Sequence, residues 1–333
     1  MRFYTKQHQF YCGVDLHADA MYVCILDATG KIVLHKNIPT RPKSFLRLIK
    51  PYRDGLVVGC ECMFTWYWLA DLCAEEGVAF VLGHALYMKA IHGGKAKNDR
   101  IDSHKIAVLL RGGSFPLAYV YPQKMRATRD LLRRRNHLAR KRAELYAHIQ
   151  NTATQYNLPA KFRDPIVRAM VEVDLATIEH YEDLLATLER HLERIATRHD
   201  PVTLALLKSI PGVGRILAMV MLYEIESIGR FPRVQDFVSY CRLVKPAKES
   251  NGKNYGHSGK KIGNAHLRWA FGEAVVLMLK GNKPAQEALQ RLASRHGKGK
   301  ALAILSHRLG RAVYFMLKNQ EPFDQDRFLR KSA

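Results

Sequence analysis

Phe10-Tyr11-Cys12-Gly13-Val14-Asp15-Leu16-His17 is the stretch whose reading decides the fold. An apolar run ends in a single aspartate, Asp15, and a second apolar run, Met21 to Leu26, follows almost at once. Such runs read as buried strands, and an isolated carboxylate at the end of one needs a reason, because a buried unpaired charge is costly. Leu56-Val57-Val58-Gly59-Cys60-Glu61 repeats the pattern, with Glu61 as its terminal acid. Asp99 and Asp102 then stand three apart at the start of a helical stretch and so share one face. A parallel or mixed sheet would bring all four acids to one spot. Oxygen clusters of this kind hold magnesium, with manganese able to take its place, and paired ions suit phosphodiester chemistry.

Working outward, Tyr11 to Asp15, Met21 to Leu26 and a run from Ile32 read as three strands, the last two joined by the turn Asp27-Ala28-Thr29-Gly30. Pro42 to Tyr52 reads as an amphipathic helix, Leu56 to Cys60 as a fourth strand, Trp66 to Leu72 as a helix stopped by Gly77, and Val78 to Leu82 as a fifth strand. Three antiparallel strands followed by alternating helix and strand is the order of the ribonuclease H-like fold. We therefore expect an α/β domain over 1–120. A basic loop, Lys89 to Asn98, precedes the helix Asp99 to Leu110. A plainer reading of Asp99 and Asp102 is that acids in a first turn suit the helix dipole.

The character changes near Pro122. Arg133, Arg134, Arg135, Arg140 and their neighbours crowd one helical stretch, while Leu131, Leu138 and Leu145 recur at seven. Leu185, Leu188, Leu192 and Ile195 step by three and four. Both patterns suit a coiled coil, either a hairpin or a contact between protomers, over 121–205, with a break at Asn157-Leu158-Pro159. The arginines fit a phosphate-binding arm better than a merely solvated face. Ile210-Pro211-Gly212-Val213-Gly214 matches the helix-hairpin-helix signature, in which Gly212 and Gly214 let backbone N–H groups approach a phosphate. The plainer reading is a tight turn between core helices. Lys245 to Lys261 reads as a polar surface loop, Asn264 opens an apolar helix to Leu279, and Ala301 to Leu317 reads as a final amphipathic helix. A mainly helical domain over 206–333 follows.

The formal net charge of +23 over 333 residues calls for a polyanionic partner, and 47% hydrophobic residues call for a folded chain. Nucleic acid fits better than membrane, since the charge lies on helical segments without a strongly apolar opposite face. No apolar run is long enough to span a bilayer, and Met1 to Lys6 carries no secretory pattern. The six cysteines form no C-x-x-C pair and read as small buried hydrophobes in a reducing cytosol. A cytoplasmic, nucleoid-associated protein is the expectation.

Several motifs together carry a resemblance. Gly13-Val14-Asp15, Cys60-Glu61 and Lys97-Asn98-Asp99-Arg100-Ile101-Asp102 resemble the DEDD motif of the transposases of insertion-sequence family 110, which includes the Piv-type invertases. Ile210 to Gly214, Phe231-Pro232 with Phe237, Ser250-Asn251-Gly252-Lys253, Gly263 to Arg268 and Glu321 to Asp324 resemble that family's second domain. The resemblance implies a RuvC-like domain joined through a coiled coil to a transposase domain carrying a serine nucleophile. Ser250 stands in the family's place for it, in Glu249-Ser250-Asn251 where a doubled serine and a glycine are usual, with Ser258 as the alternate. It further implies double-stranded donor and target DNA, a guide RNA, and homodimers that assemble to tetramers.

The function expected on these grounds is site-specific DNA recombination. Asp15, Glu61, Asp99 and Asp102 would bind the metal, Ser250 would form a covalent link to DNA, and no nucleotide cofactor would be needed. Lys95, Lys97, Arg133, Arg134, Arg135, Arg140, Gly212, Gly214, Lys253, Lys260, Lys261 and Arg268 are the expected nucleic-acid contacts. Two alternatives stay open: a junction-resolving nuclease that uses the acids and water, and a non-catalytic nucleic-acid-binding protein.

Overall fold

The computed structural model describes residues 2–91, 98–157, 162–245, 247–257 and 262–330, without the side chains of 247–250, 254, 255 and 257. The chain divides into two compact units, Met1–Gln123 and Lys124–Ala333. Among the described residues, no helix is long and apolar enough to cross a membrane.

In chain order the first unit contains β1 (Phe3–Tyr4), β2 (Phe10–Leu16), β3 (Ala20–Asp27), β4 (Ile32–Pro39), α1 (Pro42–Ile49), β5 (Leu56–Glu61), α2 (Tyr67–Glu75), β6 (Ala79–Gly83), α3 (Ala85–Ile91), α4 (Asp99–Arg111) and β7 (Phe115–Pro116). The main sheet has the order β4-β3-β2-β5-β6. Its β4-β3-β2 half is antiparallel and its β2-β5-β6 half parallel, so the sheet is mixed and consistent with the ribonuclease H-like reading.

Both faces of β2 are covered, which explains why its sequence is almost continuously apolar. Cys12, Val14 and Leu16 join a core with Phe45 and Ile49 of α1 and Leu69 and Cys73 of α2. Tyr11 joins the opposite core, with Ile106, Ala107, Leu109 and Leu110 of α4. Side chains alternate along a strand, so Gly13 and Asp15 share the α4 face with Tyr11. Gly13 pairs in register with Gly59 of β5. A Cβ on Gly13 would lie 2.2 Å from the Ser103 carbonyl oxygen and 2.5 Å from the Ala107 nitrogen, and one on Gly59 would lie 2.7 Å from Leu110 Cδ1. These two glycines let α4 lie against the sheet two residues short of Asp15 and of Glu61.

The contrast between the two glycines gives a test. Gly13→Ala drives a methyl into helix backbone, which cannot step aside, and should cost the first unit about 1–3 kcal/mol. Gly59→Ala meets the end of a leucine side chain, which can turn away. We expect the larger fall in Tm, and the larger loss of activity, from Gly13→Ala. Equal effects in both variants would refute the account of α4 seating.

The second unit opens with two long helices, α5 (Gln123–Gln155) and α6 (Pro165–His199). At 33 residues α5 is about 50 Å long. Arg135 pairs with Glu189, Arg142 with Glu182 at 3.3 Å, and His148 with Asp174 at 2.5 Å. Partners on α6 fall in number as those on α5 rise, so the two run antiparallel. Val171, Ile178, Leu185 and Leu192 are buried at seven-residue steps on α6. Then come α7 (Pro201–Lys208), α8 (Arg215–Ile225), α9 (Val234–Tyr240), β8 (Ala247–Ser250), β9 (Lys253–His257), α10 (Ala265–Met278), α11 (Lys283–His296), α12 (Lys298–Asn319) and α13 (Gln325–Leu329).

The polar stretch from Lys245, expected to be a loop, contains an antiparallel hairpin of β8 and β9 with Ser250 paired to Lys253. Asn251 and Gly252 turn it with φ of +50° and +69°, the geometry of a two-residue type I′ turn. None of the six cysteines forms a disulfide; five are buried as expected and Cys62 is exposed.

Candidate functional site

Local structure places Asp15 and Glu61 on one face of the first unit's sheet and Asp99 and Asp102 in the first turn of the helix above it. Asn98 caps α4, its side-chain oxygen accepting the Ile101 N–H at 2.8 Å, which puts Asp99 and Asp102 in the first turn. His35 of β4 holds the same turn through Nε2 and the Arg100 carbonyl at 2.9 Å. Asp15 is the penultimate residue of β2. One ligand atom each from Asp15, His17 and Asp99 lie within 4.8 Å of one another. His17 Nε2 is 3.4 Å from Asp15 Oδ2 and 3.7 Å from Asp99 Oδ1.

Glu61 and Asp102 stand outside this three-donor group. Asp102 is 3.5 Å from Lys105 Nζ, and its charge acts on Asp15. Glu61 is one step past the Val14–Cys60 register pair, so it occupies the row of Asp15 on the adjacent strand and the same face of the sheet. Burial pushes the Asp15 carboxyl above its usual range; the His17 charge opposes this, and the Asp99 and Asp102 charges push it further up. Like charges gathered at a half-buried carboxylate fit a divalent cation, which would supply the missing positive charge. The donors are carboxylates of the kind hard cations take, and the His17 imidazole adds a nitrogen that manganese accepts more readily than magnesium.

His17 was not singled out from the sequence. The available signal was its position: two residues past Asp15 it lies on the same side of the chain as Asp15 and Gly13.

In the second unit the predicted phosphate contacts fare differently from one another. Arg134, Arg140, Lys253 and Arg268 are exposed. Arg133 grips Glu224 of α8, with Nε 2.6 Å from Oε1 and Nη2 3.0 Å from Oε2, and Arg135 grips Glu189. Gly212 has φ of +83°, and a Cβ there would lie 2.4 Å from the Met278 nitrogen, so its missing side chain admits the end of α10. Gly214 caps α8, with nothing within 4 Å of where its Cβ would be, and faces open space. Ser250 is the last residue of β8, beside the exposed turn Asn251-Gly252. Lys95, Lys97, Ser258, Lys260 and Lys261 lie outside the described residues.

Glu224 also went unremarked in the sequence. It is 2% exposed and accepts from Arg129 Nε at 3.0 Å, from Arg133 and from Asn264 Nδ2 at 2.7 Å. Burial alone would raise its carboxyl; the Arg133 hydrogen bond, the Arg129 and Arg133 charges and Asn264 override it and hold the group at about 2. Asn264 in turn caps α10 through the N–H groups of His266 at 2.9 Å and Leu267 at 3.1 Å. This cluster ties the root of α5 to α8 and α10. Its sequence signal was a lone acid near the end of an otherwise apolar helix.

Comparison with known proteins bears on both units. The family signature for DEDD transposases of the IS110 type, described as a transposase, matches residues 12–158. A second signature, described as the transposase IS116/IS110/IS902 family, matches residues 204–290. The chain is also similar to the transposase for insertion sequence element IS1111A of Coxiella burnetii (strain RSA 493 / Nine Mile phase I). The two are 22% identical over 275 residues, which covers 77% of this chain and 74% of that protein.

Proposed function

The chain belongs to the IS110-type transposase family and is an enzyme that acts on DNA, and from that premise we propose that it cuts and rejoins DNA through a covalent phosphoserine. The observation that carries this reading is the convergence of Asp15, His17 and Asp99 at the start of α4. A family of DEDD transposases implies a divalent metal, which we take to be magnesium, with manganese as a substitute. Held by Asp15, Asp99 and His17, with Asp102 and Glu61 beside them, the ion would stabilise charge on the scissile phosphate and on the leaving oxygen.

In the first step the Ser250 Oγ–P bond forms as the P–O bond of the DNA strand breaks. The proton the serine gives up is balanced by the one the leaving oxygen takes. In the second step a hydroxyl from the other strand attacks the phosphoserine, and Ser250 leaves and regains a proton. The ester energy is kept throughout, so no nucleotide cofactor is required. A serine is a weak nucleophile near neutral pH, so the chemistry requires the acids at the same phosphodiester. Ser250 and the acids belong to different compact units. Gating this meeting by assembly, from homodimer to tetramer on donor and target DNA, would license cutting only in the complete complex. Guide RNA pairing would supply the sequence choice, with the exposed Arg134, Arg140, Lys253 and Arg268 reading backbone rather than bases.

The test is a denaturing gel for a protein–DNA adduct, with labelled junction DNA, RNA from the element's end, and magnesium. Ser250→Ala should abolish the adduct, and Ser258→Ala should leave it. An adduct lost only in Ser258→Ala would move the nucleophile and keep the mechanism. Cleavage that survives in both variants without an adduct would mean that water attacks and the acids resolve junctions directly.

A further inference from the structure

A second site, built from none of the candidate catalytic or nucleic-acid-contacting residues named above, opens at the C-terminal end of the second unit. A cavity of about 290 Å³ lies between α12 and the segment that runs from Glu321 through α13. Arg308, Arg311 and Phe315 line it from α12, and Arg327 and Arg330 line it from α13 and its end. Spacings of three, four and seven put the three α12 residues on one face of that helix. Two acids share the lining, Glu321 and Asp324. The Asp324 carboxylate is engaged as the cap of α13, accepting the Arg327 N–H at 2.9 Å. Among the described residues, Arg311, Arg327 and Arg330 make no ion pair with an acid. Four guanidinium groups therefore outweigh two carboxylates, and the site favours an anion. Phe315 is 40% exposed, so a large aromatic ring is offered to solvent among these cations.

Cations and an exposed ring around a concave space match what a nucleotide offers, a phosphate and a flat base. Arginines take phosphate oxygens in planar, forked geometry, and base-on-aromatic stacking is tolerant of sequence. The volume is at the small end for ligand sites and suits one nucleotide; a duplex is too wide to enter it. We infer that this cavity holds a single unpaired nucleotide of a DNA strand, with its base on Phe315 and its phosphate among Arg311, Arg327 and Arg330. DNA is the strand chosen because DNA is what this family acts on, and unpaired nucleotides are what strand exchange produces. In that respect the inference rests on the recombination reading.

The experiment measures equilibrium binding of the full chain to labelled oligodeoxythymidine, the matching RNA oligomer and a duplex of equal length. It is run in EDTA, so failure of the proposed cleavage chemistry leaves its outcome untouched. Phe315→Ala and Arg311→Gln alter exposed or half-exposed side chains, and melting curves check that both variants fold. Each should weaken single-stranded DNA binding about tenfold and change duplex binding less than about twofold. Equal losses on single-stranded and duplex DNA, no loss, or no binding of the oligomer by the wild type would overturn the assignment. Losses confined to the RNA oligomer would overturn the choice of DNA.

Discussion

On the proposed mechanism, Asp15→Asn should lose metal-dependent DNA cleavage while the first unit stays folded. The substitution keeps the shape of the side chain and removes its charge. It takes one anionic donor from the Asp15, His17 and Asp99 group, whose ligand atoms lie within 4.8 Å of one another. Burial and the charges of Asp99 and Asp102 already press against the ionised form, and only His17, at 3.4 Å, favours it. Neutralising Asp15 therefore removes little that holds the native state together. The cost falls on catalysis, where losing charge stabilisation at the phosphate should lower cleavage roughly a hundredfold or more. EDTA should reproduce the loss in the wild type, with magnesium or manganese restoring it. Cleavage that persists in Asp15→Asn with magnesium, while circular dichroism and Tm match the wild type, would take the acids out of the mechanism.

The reason Asp15 was legible in the sequence, and His17 was not, lies in the strand itself. An acid closing an apolar run is conspicuous because every neighbour is buried; β2 is covered on both faces, and nothing else in it needs charge. A histidine just past the strand's end carries no such contrast. It is recognisable only once Gly13 and Asp15 are known to face α4, and that face is fixed by a close approach at Ser103 and Ala107, about 90 residues later in the chain. The same limit explains the arginines of α5. Their crowding on one helix is visible, but the acids that take Arg133 and Arg135 lie 91 and 54 residues away. Local spacing shows a charged face and says nothing about a partner supplied by another helix. The β8–β9 hairpin was missed for a different reason. Asn251-Gly252 is a strong turn signal, but its flanks Lys248, Glu249, Lys253 and Asn254 lack the apolar alternation that marks strands.

Glu224→Gln destabilises the second unit by about 3–5 kcal/mol, the usual cost of stranding a buried charge by removing its partner. Arg129, whose side chain is 10% exposed, loses the charge of its Glu224 partner, and Arg133 loses a two-pronged contact. The effect should carry a pH signature. The folded carboxyl titrates at about 2 against 4.5 for the ordinary group, so the unfolded chain binds the proton first. The stabilisation is then complete above about pH 4.5 and disappears as pH falls towards 2, roughly 3 kcal/mol in all. Wild type should lose stability over that window, and the part of the loss due to this group should be missing from Glu224→Gln. Amide exchange in α8 and α10 locates the change, because Asn264 links the carboxylate to the α10 cap. Full protection of both helices in Glu224→Gln would show that α5 is anchored by its apolar contacts and that the ion cluster is incidental. A variant combining Glu224→Leu with Arg129→Met separates the pair's net worth from the penalty of an unpaired charge. Near-wild-type stability there, beside a large loss in Glu224→Gln, would mean that the cluster fixes where α5 is seated more than it stabilises the unit, since well-packed apolar replacements of buried ion pairs are often neutral. The long α5–α6 hairpin would then owe its direction to one carboxylate on α8.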